Sequence, residues 1–384
     1  MTPEIVVSKE SGVVSPPNGP WIEVSLERIL KNLEAVREKA GPDLHVMAVV
    51  KANAYGHGLV PVAKALAGKV RFLGVASVRE GFQLREQGIE TPVLVFGRVF
   101  AEEIPLALQR NLALTVSSLE EARGISDLAL KSGRRAAVHV KVDTGMGRLG
   151  IPYGRAFAEI VTLSCLQGIQ AEGIYTHFPT AEKYPDFFTE KQLANFEKLI
   201  HDLEARGISF AWRHAANSAG ALRMKSSALN LIRPGLALYG IYPDPAFLPE
   251  VRLLAALSLK SRIVFLKSVP TGDSVGYGRE YIASSPTAIA VIPTGYAHGY
   301  PFHLSGKGAV LYRGRRFRIA GRVSMDSLMV DLGPATQARI GDEVTLLGTL
   351  GEERLSAEDL AQAAGTIPYE IVTRLESGIP RFYR

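Results

Sequence analysis

Cysteine is almost missing from this 384-residue sequence: Cys165 stands alone, so no disulfide can form within the chain, and a reducing, cytoplasmic setting is expected. A strong charge of one sign is missing too. The 44 Lys and Arg residues against 38 Asp and Glu leave a formal charge of +6 spread along the chain, with no basic block of the kind that marks a nucleic-acid partner. No apolar run approaches the ~18 residues a membrane span needs. The start, MTPEIVVSKESGVVSPPNG, lacks the basic-then-apolar order of a secretory signal, so none is expected. The 8 histidines show neither close i, i+4 pairing nor neighbouring cysteines; no metal site is expected, and His45, His139, His201 and His214 are assigned to packing or surface. No G-x-S-x-G elbow points to a serine hydrolase. What is present is 47% hydrophobic residues, enough for a sizeable core, at a length that suits two or three domains of roughly 150 residues or one large barrel with an addition.

Residues 1–19 hold Pro16, Pro17 and few large apolar side chains, which predicts a mobile tail. After Trp21, Ser25 can cap a helix in which Leu26, Ile29, Leu30, Leu33 and Val36 recur at three-to-four spacing. A rhythm follows. Short β-branched-rich runs at 45–51, 72–77, 92–97, 113–117, 136–143, 169–177, 211–217 and 230–239 alternate with helical patterns closed by glycines such as Gly88 and Gly207. Eight strand–helix units predict an α/β fold, a closed (β/α)8 TIM-type barrel over 20–254, with an open doubly wound sheet as the competitor; a first strand at about 20–25 could pair instead with the C-terminal domain. From 255 to 384 the texture turns to strands at 260–269, 287–293, 308–312, 316–325, 327–331 and 343–347, a mostly antiparallel β domain. Helical spacing returns at 356–364, where Ser356 and Asp359 form a capping box.

In such a barrel the chemistry sits at the C-terminal ends of the strands. Strand one ends at Lys51 in VVKANAYGHG; this lysine either snorkels to solvent or is an amine lowered in pKa and ready to form a Schiff base. Strand five runs into DTGMGRLG, whose Gly145, Gly147 and Gly150 spell G-x-G-x-x-G, a weak dinucleotide signal when it lies in the fifth unit. Strand six ends at His177, strand seven at Asn217 and Ser218, and strand eight carries Arg233 and Gly235. Barrel phosphate sites are often built after strands seven and eight, where Ser218 offers a hydroxyl and Gly235 lets backbone amides approach an anion. A lysine at strand one with a phosphate cradle at strands seven and eight suggests pyridoxal phosphate.

VVKANAYGHG, KVDTGMGRLG, THF, AANSAG, RPGLALYG, VGYGR, GYAHGY, GRVSMD and TIPYE, in this order, make the chain from about Trp21 to its end resemble the alanine racemases, fold-type III pyridoxal 5'-phosphate enzymes. The resemblance implies racemisation of L- and D-alanine, supplying D-alanine as for peptidoglycan, by a homodimer. Lys51 matches the lysine that binds the cofactor covalently and exchanges the proton on the D side; Tyr277 matches the tyrosine that serves the L side from the partner subunit. Tyr55, Ser218, Gly235, Leu236 and Tyr369 match positions that bind the phosphate and Asn217 a further cofactor-binding position; Arg233 matches the arginine at the pyridine nitrogen with His177 behind it, and Arg148 the arginine at the phenolic oxygen. Met325, also from the partner, matches the position whose amide meets the substrate carboxylate, with Asp326 beside it. Tyr296 matches an entrance tyrosine and Lys141 a lysine carbamylated in some members. Two bases on opposite faces suit an inversion, and an amine and a phenol both need their surroundings to loosen their protons. Ser324, His298 and Pro368 stand where cysteine, aspartate and asparagine are usual. A racemase of broader range, a single-barrel cofactor-binding protein without turnover and a barrel decarboxylase remain as alternatives; the β domain with Tyr277 and Met325 speaks against the second.

Overall fold

The computed structural model describes residues 18–183, 185–224, 227, 229–247 and 250–384. The expected tail lies almost wholly outside the described residues. Strand β1 (Trp21–Val24) leads into a helix, Leu26–Ala40, whose first amides are capped as its sequence foretells, Arg28 N–H donating to Ser25 Oγ at 3.2 Å. Then come β2 (His45–Val49), β3 (Phe72–Val75), β4 (Val93–Val95), β5 (Leu112–Val116), β6 (Ala136–Asp143), the short β7 (Ile151–Pro152), β8 (Ile169–Tyr175), β9 (Trp212–His214) and β10 (Leu231–Ile232). Eight of them run in parallel in the order β10-β2-β3-β4-β5-β6-β8-β9, with β7 on β6. Helices cover the outside, so β3, β4 and β5 are buried along their whole length and read as unbroken apolar runs.

The ring closes between β9 and β10 without a ladder. Asn230 stands in for one: its N–H donates to Arg213 O (3.3 Å) and its Oδ1 accepts from Arg213 N–H (2.8 Å), while Arg233 N–H donates to Ala216 O (3.0 Å). The doubly wound alternative is thereby excluded. The last barrel strand is shorter than expected from 230–239, because Pro234 and Gly235 end it and the chain turns into a 3-10 helix, Leu236–Tyr239.

Beyond the barrel lie β11 (Leu257–Arg262), β12 (Phe265–Val269), β13 (Ser274–Val275), β14 (Tyr281–Ile282), β15 (Thr287–Ile292), β16 (Ala309–Tyr312), β17 (Arg315–Arg318), β18 (Leu328–Asp331), β19 (Glu343–Leu350), β20 (Glu353–Leu355) and β21 (Arg381–Tyr383). One sheet runs β17-β16-β19-β11-β1-β21, a second β12-β15-β18; all pairs but β1 with β21 are antiparallel. Burial alternates along β11 with the period of two of a sheet with one covered face. The stretch 316–325 does not continue as one strand: Gly321 at φ +74° breaks it into β17 and a loop that carries Ser324 and Met325.

Candidate active site

At the C-terminal mouth of the barrel, β2 delivers Lys51 and the chain then does something costly. Ala52, Asn53, Ala54 and Tyr55 all take φ between +51° and +54°, a left-handed turn of non-glycine residues at about 1–2 kcal/mol each. Neighbours hold it in place. Glu80, in the first turn of the helix Val78–Glu86, accepts from Ala52 N–H and Ala76 N–H, both at 2.7 Å. Asn53 Oδ1 accepts from Leu59 N–H (2.8 Å), and the buried His57 donates from Nδ1 toward Tyr55 O (2.9 Å) and Ala54 O (3.1 Å); burial lowers this imidazole to about 4, which keeps it neutral. From the far end of the chain Arg381 Nε donates to Gly56 O at 2.9 Å, and Gly56 passes so near Val372 that a Cβ would stand 2.1 Å from its carbonyl oxygen. The turn aims Lys51 into a confined, cationic place. Its amine is lowered by burial first and by the Arg148 charge second, with Glu80 opposing.

Arg148 comes from the glycine motif after β6. That motif binds its own strand: Gly145 and Gly147 donate their amides to Asp143, at 2.9 Å and at 3.0 and 3.1 Å, and a Cβ on Gly150 would lie 2.8 Å from Asp143 N. The dinucleotide signal is thus a tight loop that presents Arg148. Lys141, on β6, is lowered to about 8 by burial and then by Arg148 and Arg233; its Nζ lies 5.6 Å from the Tyr175 ring centre.

Arg233 is fully buried and bonded on several sides. Its Nη2 donates to Thr176 O (2.8 Å) and Ala215 O (3.0 Å) and lies 3.4 Å from His177 Nδ1, while Nη1 donates to His214 Nδ1 at 2.9 Å. His214 Nε2 in turn meets His139 Nδ1 at 2.8 Å, and His139 Nε2 points to Glu172 at 3.9 Å. An arginine can only donate, which fixes both tautomers: His214 carries its proton on Nε2 and His139 on Nε2. Burial and the Arg233 charge hold both rings well below the ordinary histidine range, His139 at about 3. These two histidines, expected to be packing or surface residues, form a buried chain behind Arg233. They lie 75 positions apart, so no short spacing could have exposed the pair. Tyr175 stacks on His214 at 4.8 Å and 6°, and Gly173 leaves the room that His139 fills, since a Cβ there would come within 2.3 Å of the ring.

The opposite end is a cradle. Ser218 Oγ accepts from Gly235 N–H (2.9 Å) and Ala237 N–H (3.3 Å), and Asn217 caps the turn that holds Ser218 by accepting from Gly220 N–H at 3.0 Å. Leu236 is buried beside them. A Cβ on Gly235 would stand 2.6 Å from Tyr55 Oη. The Tyr55 ring touches that of Tyr369, 6.1 Å between centres, brought in by the helix Pro368–Thr373, where Pro368 takes the first helical position, at which a missing N–H costs nothing.

Lys51, Tyr55, Lys141, Arg148, His177, Asn217, Ser218, Arg233, Gly235, Leu236 and Tyr369 therefore gather at one end of the barrel. Tyr277, Tyr296, Met325 and Asp326 do not join them. They lie on the β domain, Tyr277 71% exposed and Met325 55%, and among the described residues no hydrogen bond, ion pair or ring contact ties any of the four to Lys51. Tyr296 and Met325 do sit together, Tyr296 N–H donating to Ser324 O at 3.1 Å and Ala297 N–H to Met325 O at 3.0 Å. Glu80, His139 and His214 are the contributors that sequence patterns did not single out.

Comparison with known proteins gives the following. The family model of the alanine racemase N-terminal domain matches residues 24–243, and that of the alanine racemase C-terminal domain residues 256–383. The alanine racemase of Desulforamulus reducens is 43% identical over 366 residues, 94% of this chain and 98% of its own length; that of Methanococcus maripaludis is 40% identical over 94% of this chain and 98% of its own. Among solved structures, the alanine racemase of Clostridium difficile superposes with a TM-score of 0.91 at 35% identity, covering 97% of each chain. That of Bacillus anthracis with bound L-Ala-P gives 0.90 at 35% identity over 97% of this chain and 96% of its own.

Proposed function

The chain belongs to the alanine racemase family, and on that premise we propose that it interconverts L- and D-alanine with pyridoxal 5'-phosphate as cofactor, Lys51 and Tyr277 working as the opposed proton-transfer pair. The observation that carries the assignment is the amine of Lys51, lowered by burial and by Arg148, at a barrel mouth whose other end is the Ser218–Gly235 cradle.

The residues present fit the cofactor. A cradle too tight for a Cβ at Gly235, with Ser218, Asn217, Leu236, Tyr55 and Tyr369 around it, suits a phosphate group approached by backbone amides. When bound, the cofactor withdraws electrons from the substrate's α-carbon and acidifies its C–H bond. Arg233, at about 10, keeps its proton near neutrality and so would donate to the ring nitrogen without protonating it, with His177 behind it. Lys51 would hold the cofactor covalently and would move the α-proton on the D side. Tyr277, exposed on its own chain, moves the proton on the L side of the partner's site. Arg148 and the Met325 amide hold the alanine carboxylate, with Asp326 beside them and Tyr296 at the entrance.

Lys141 is a candidate for carbamylation: at about 8 roughly a tenth of the amine is free to take up carbon dioxide at pH 7, far more than for an ordinary lysine, and Arg148 and Arg233 favour the resulting negative charge. The same reading takes the protein as a homodimer working in the cytoplasm, its chain divided at 254/255 into cofactor-binding and β domains. No helix among the described residues is long and apolar enough to cross a membrane. Incubation of the cofactor-loaded protein with L-alanine should yield D-alanine; no D-alanine would refute the assignment, and a faster turnover of serine, lysine or arginine would redirect it to a broader racemase.

A further inference from the structure

The turn at 295–300 is held from three sides. On one side lie the two amide bonds to Ser324 O and Met325 O, with Gly295 so close that a Cβ would stand 2.2 Å from both oxygens. On another, Glu376 N–H donates to His298 O at 3.3 Å, and a Cβ on Gly299, itself at φ +83°, would meet Arg374 O at 2.0 Å. That segment follows the helix that carries Tyr369. The third hold is internal: Gly295 N–H donates to His298 Nδ1 at 3.1 Å while His298 N–H donates back to Gly295 O at 3.0 Å. Nδ1 accepts, so the neutral ring keeps its proton on Nε2.

We propose that His298 is a positioning residue for the substrate. Its imidazole closes the 295–300 turn, and the closed turn fixes the peptides on both sides of Met325 through the two carbonyls it binds, so that the Met325 amide and the Tyr296 phenol stand where the alanine carboxylate arrives. The inference rests on the assignment of Met325 and Tyr296 to the substrate side. The contact that matters for His298 is with the backbone alone: its Nδ1 is taken up by the Gly295 amide. Loss of its side chain frees the Gly295 amide and lets the turn and the Met325 loop drift together, which weakens substrate binding without touching Lys51 or the cradle.

Steady-state racemisation by the cofactor-loaded enzyme, run in both directions, tests this. His298→Ala should raise KM for L- and D-alanine by about five- to tenfold, the worth of one such hydrogen bond, with kcat within about twofold and cofactor absorbance and affinity unchanged. His298→Asn, which keeps an acceptor oxygen at similar reach, should bring KM back to within about twofold of wild type. An unchanged KM in the alanine variant, a fall in kcat alone, or an asparagine variant no better than alanine would overturn the proposal. His298→Ser, too short to reach the Gly295 amide, serves the same comparison if the alanine variant does not fold. A wild type that leaves alanine unracemised refutes the proposed reaction instead, before any variant is compared.

Discussion

Replacing His214 by leucine probes the buried chain behind Arg233. Three interactions go at once: the acceptor for Arg233 Nη1 at 2.9 Å, the donor to His139 at 2.8 Å and the stack on Tyr175 at 4.8 Å. A hydrogen bond from a charged donor is worth about 1.5–3 kcal/mol, one between neutral groups about 0.5–1.5, and an aromatic stack about 0.5–1.5. The leucine variant should therefore be about 2.5–6 kcal/mol less stable, and Arg233, left buried with an unanswered donor, should hold the cofactor more weakly. His214→Asn keeps an acceptor near the Nδ1 position and so the Arg233 bond; His214→Gln reaches the Nε2 position and keeps the His139 bond. Urea unfolding followed by circular dichroism, together with cofactor titration, reads both effects. Asparagine should retain most of the cofactor affinity and glutamine should not. A leucine variant within about 1 kcal/mol of wild type would show that the chain carries no weight, and an asparagine variant as weak in cofactor binding as leucine would refute the link to Arg233.

Gly235→Ala should lower cofactor affinity at least tenfold while leaving the apoprotein folded, because the added carbon would stand 2.6 Å from Tyr55 Oη inside the cradle; an unchanged dissociation constant would mean that the phosphate lies elsewhere. Lys141 binds its proton at about 8 in the folded chain against an ordinary 10.5. Between those values the unfolded chain holds more protons, so stability gains as pH rises across the window and is lost as pH falls back through about 8. In buffer free of carbon dioxide the urea midpoint should climb over that range, and Lys141→Met should flatten the climb; equal climbs would assign it to another group.

Much of this was legible in the sequence because it rests on period and punctuation. The buried parallel strands announce themselves as short apolar runs, Gly88 and Gly207 end helices at φ +71° and +83°, and Ser356 caps its helix together with Asp359. Lys51, Ser218 and Gly235 could be found because a barrel sends strand ends to one mouth. Other features depend on contacts that local pattern does not encode. The closure through Asn230 replaces a ladder by a side chain. The left-handed turn after Lys51 exists only because Glu80 and Arg381, distant in sequence, hold it together with the neighbouring His57. His139 and His214 become a pair only when β6 and β9 both face the barrel axis. Tyr277 is exposed on its own chain, and the role proposed for it needs a second copy of the chain.

A hybrid dimer tests the central claim most directly. On the proposed roles, Lys51→Ala removes one proton-transfer group and the cofactor anchor, and Tyr277→Phe the other; each variant alone should lack racemase activity. If each site takes its lysine from one subunit and its tyrosine from the other, a dimer of the two variants has one intact site and one doubly impaired site. Unfolding and refolding an equimolar mixture should then restore roughly one quarter of wild-type activity, half the dimers being hybrids with half their sites intact. No recovery in a mixture shown by sedimentation and mass spectrometry to contain the hybrid would contradict the pairing of Lys51 with the partner's Tyr277.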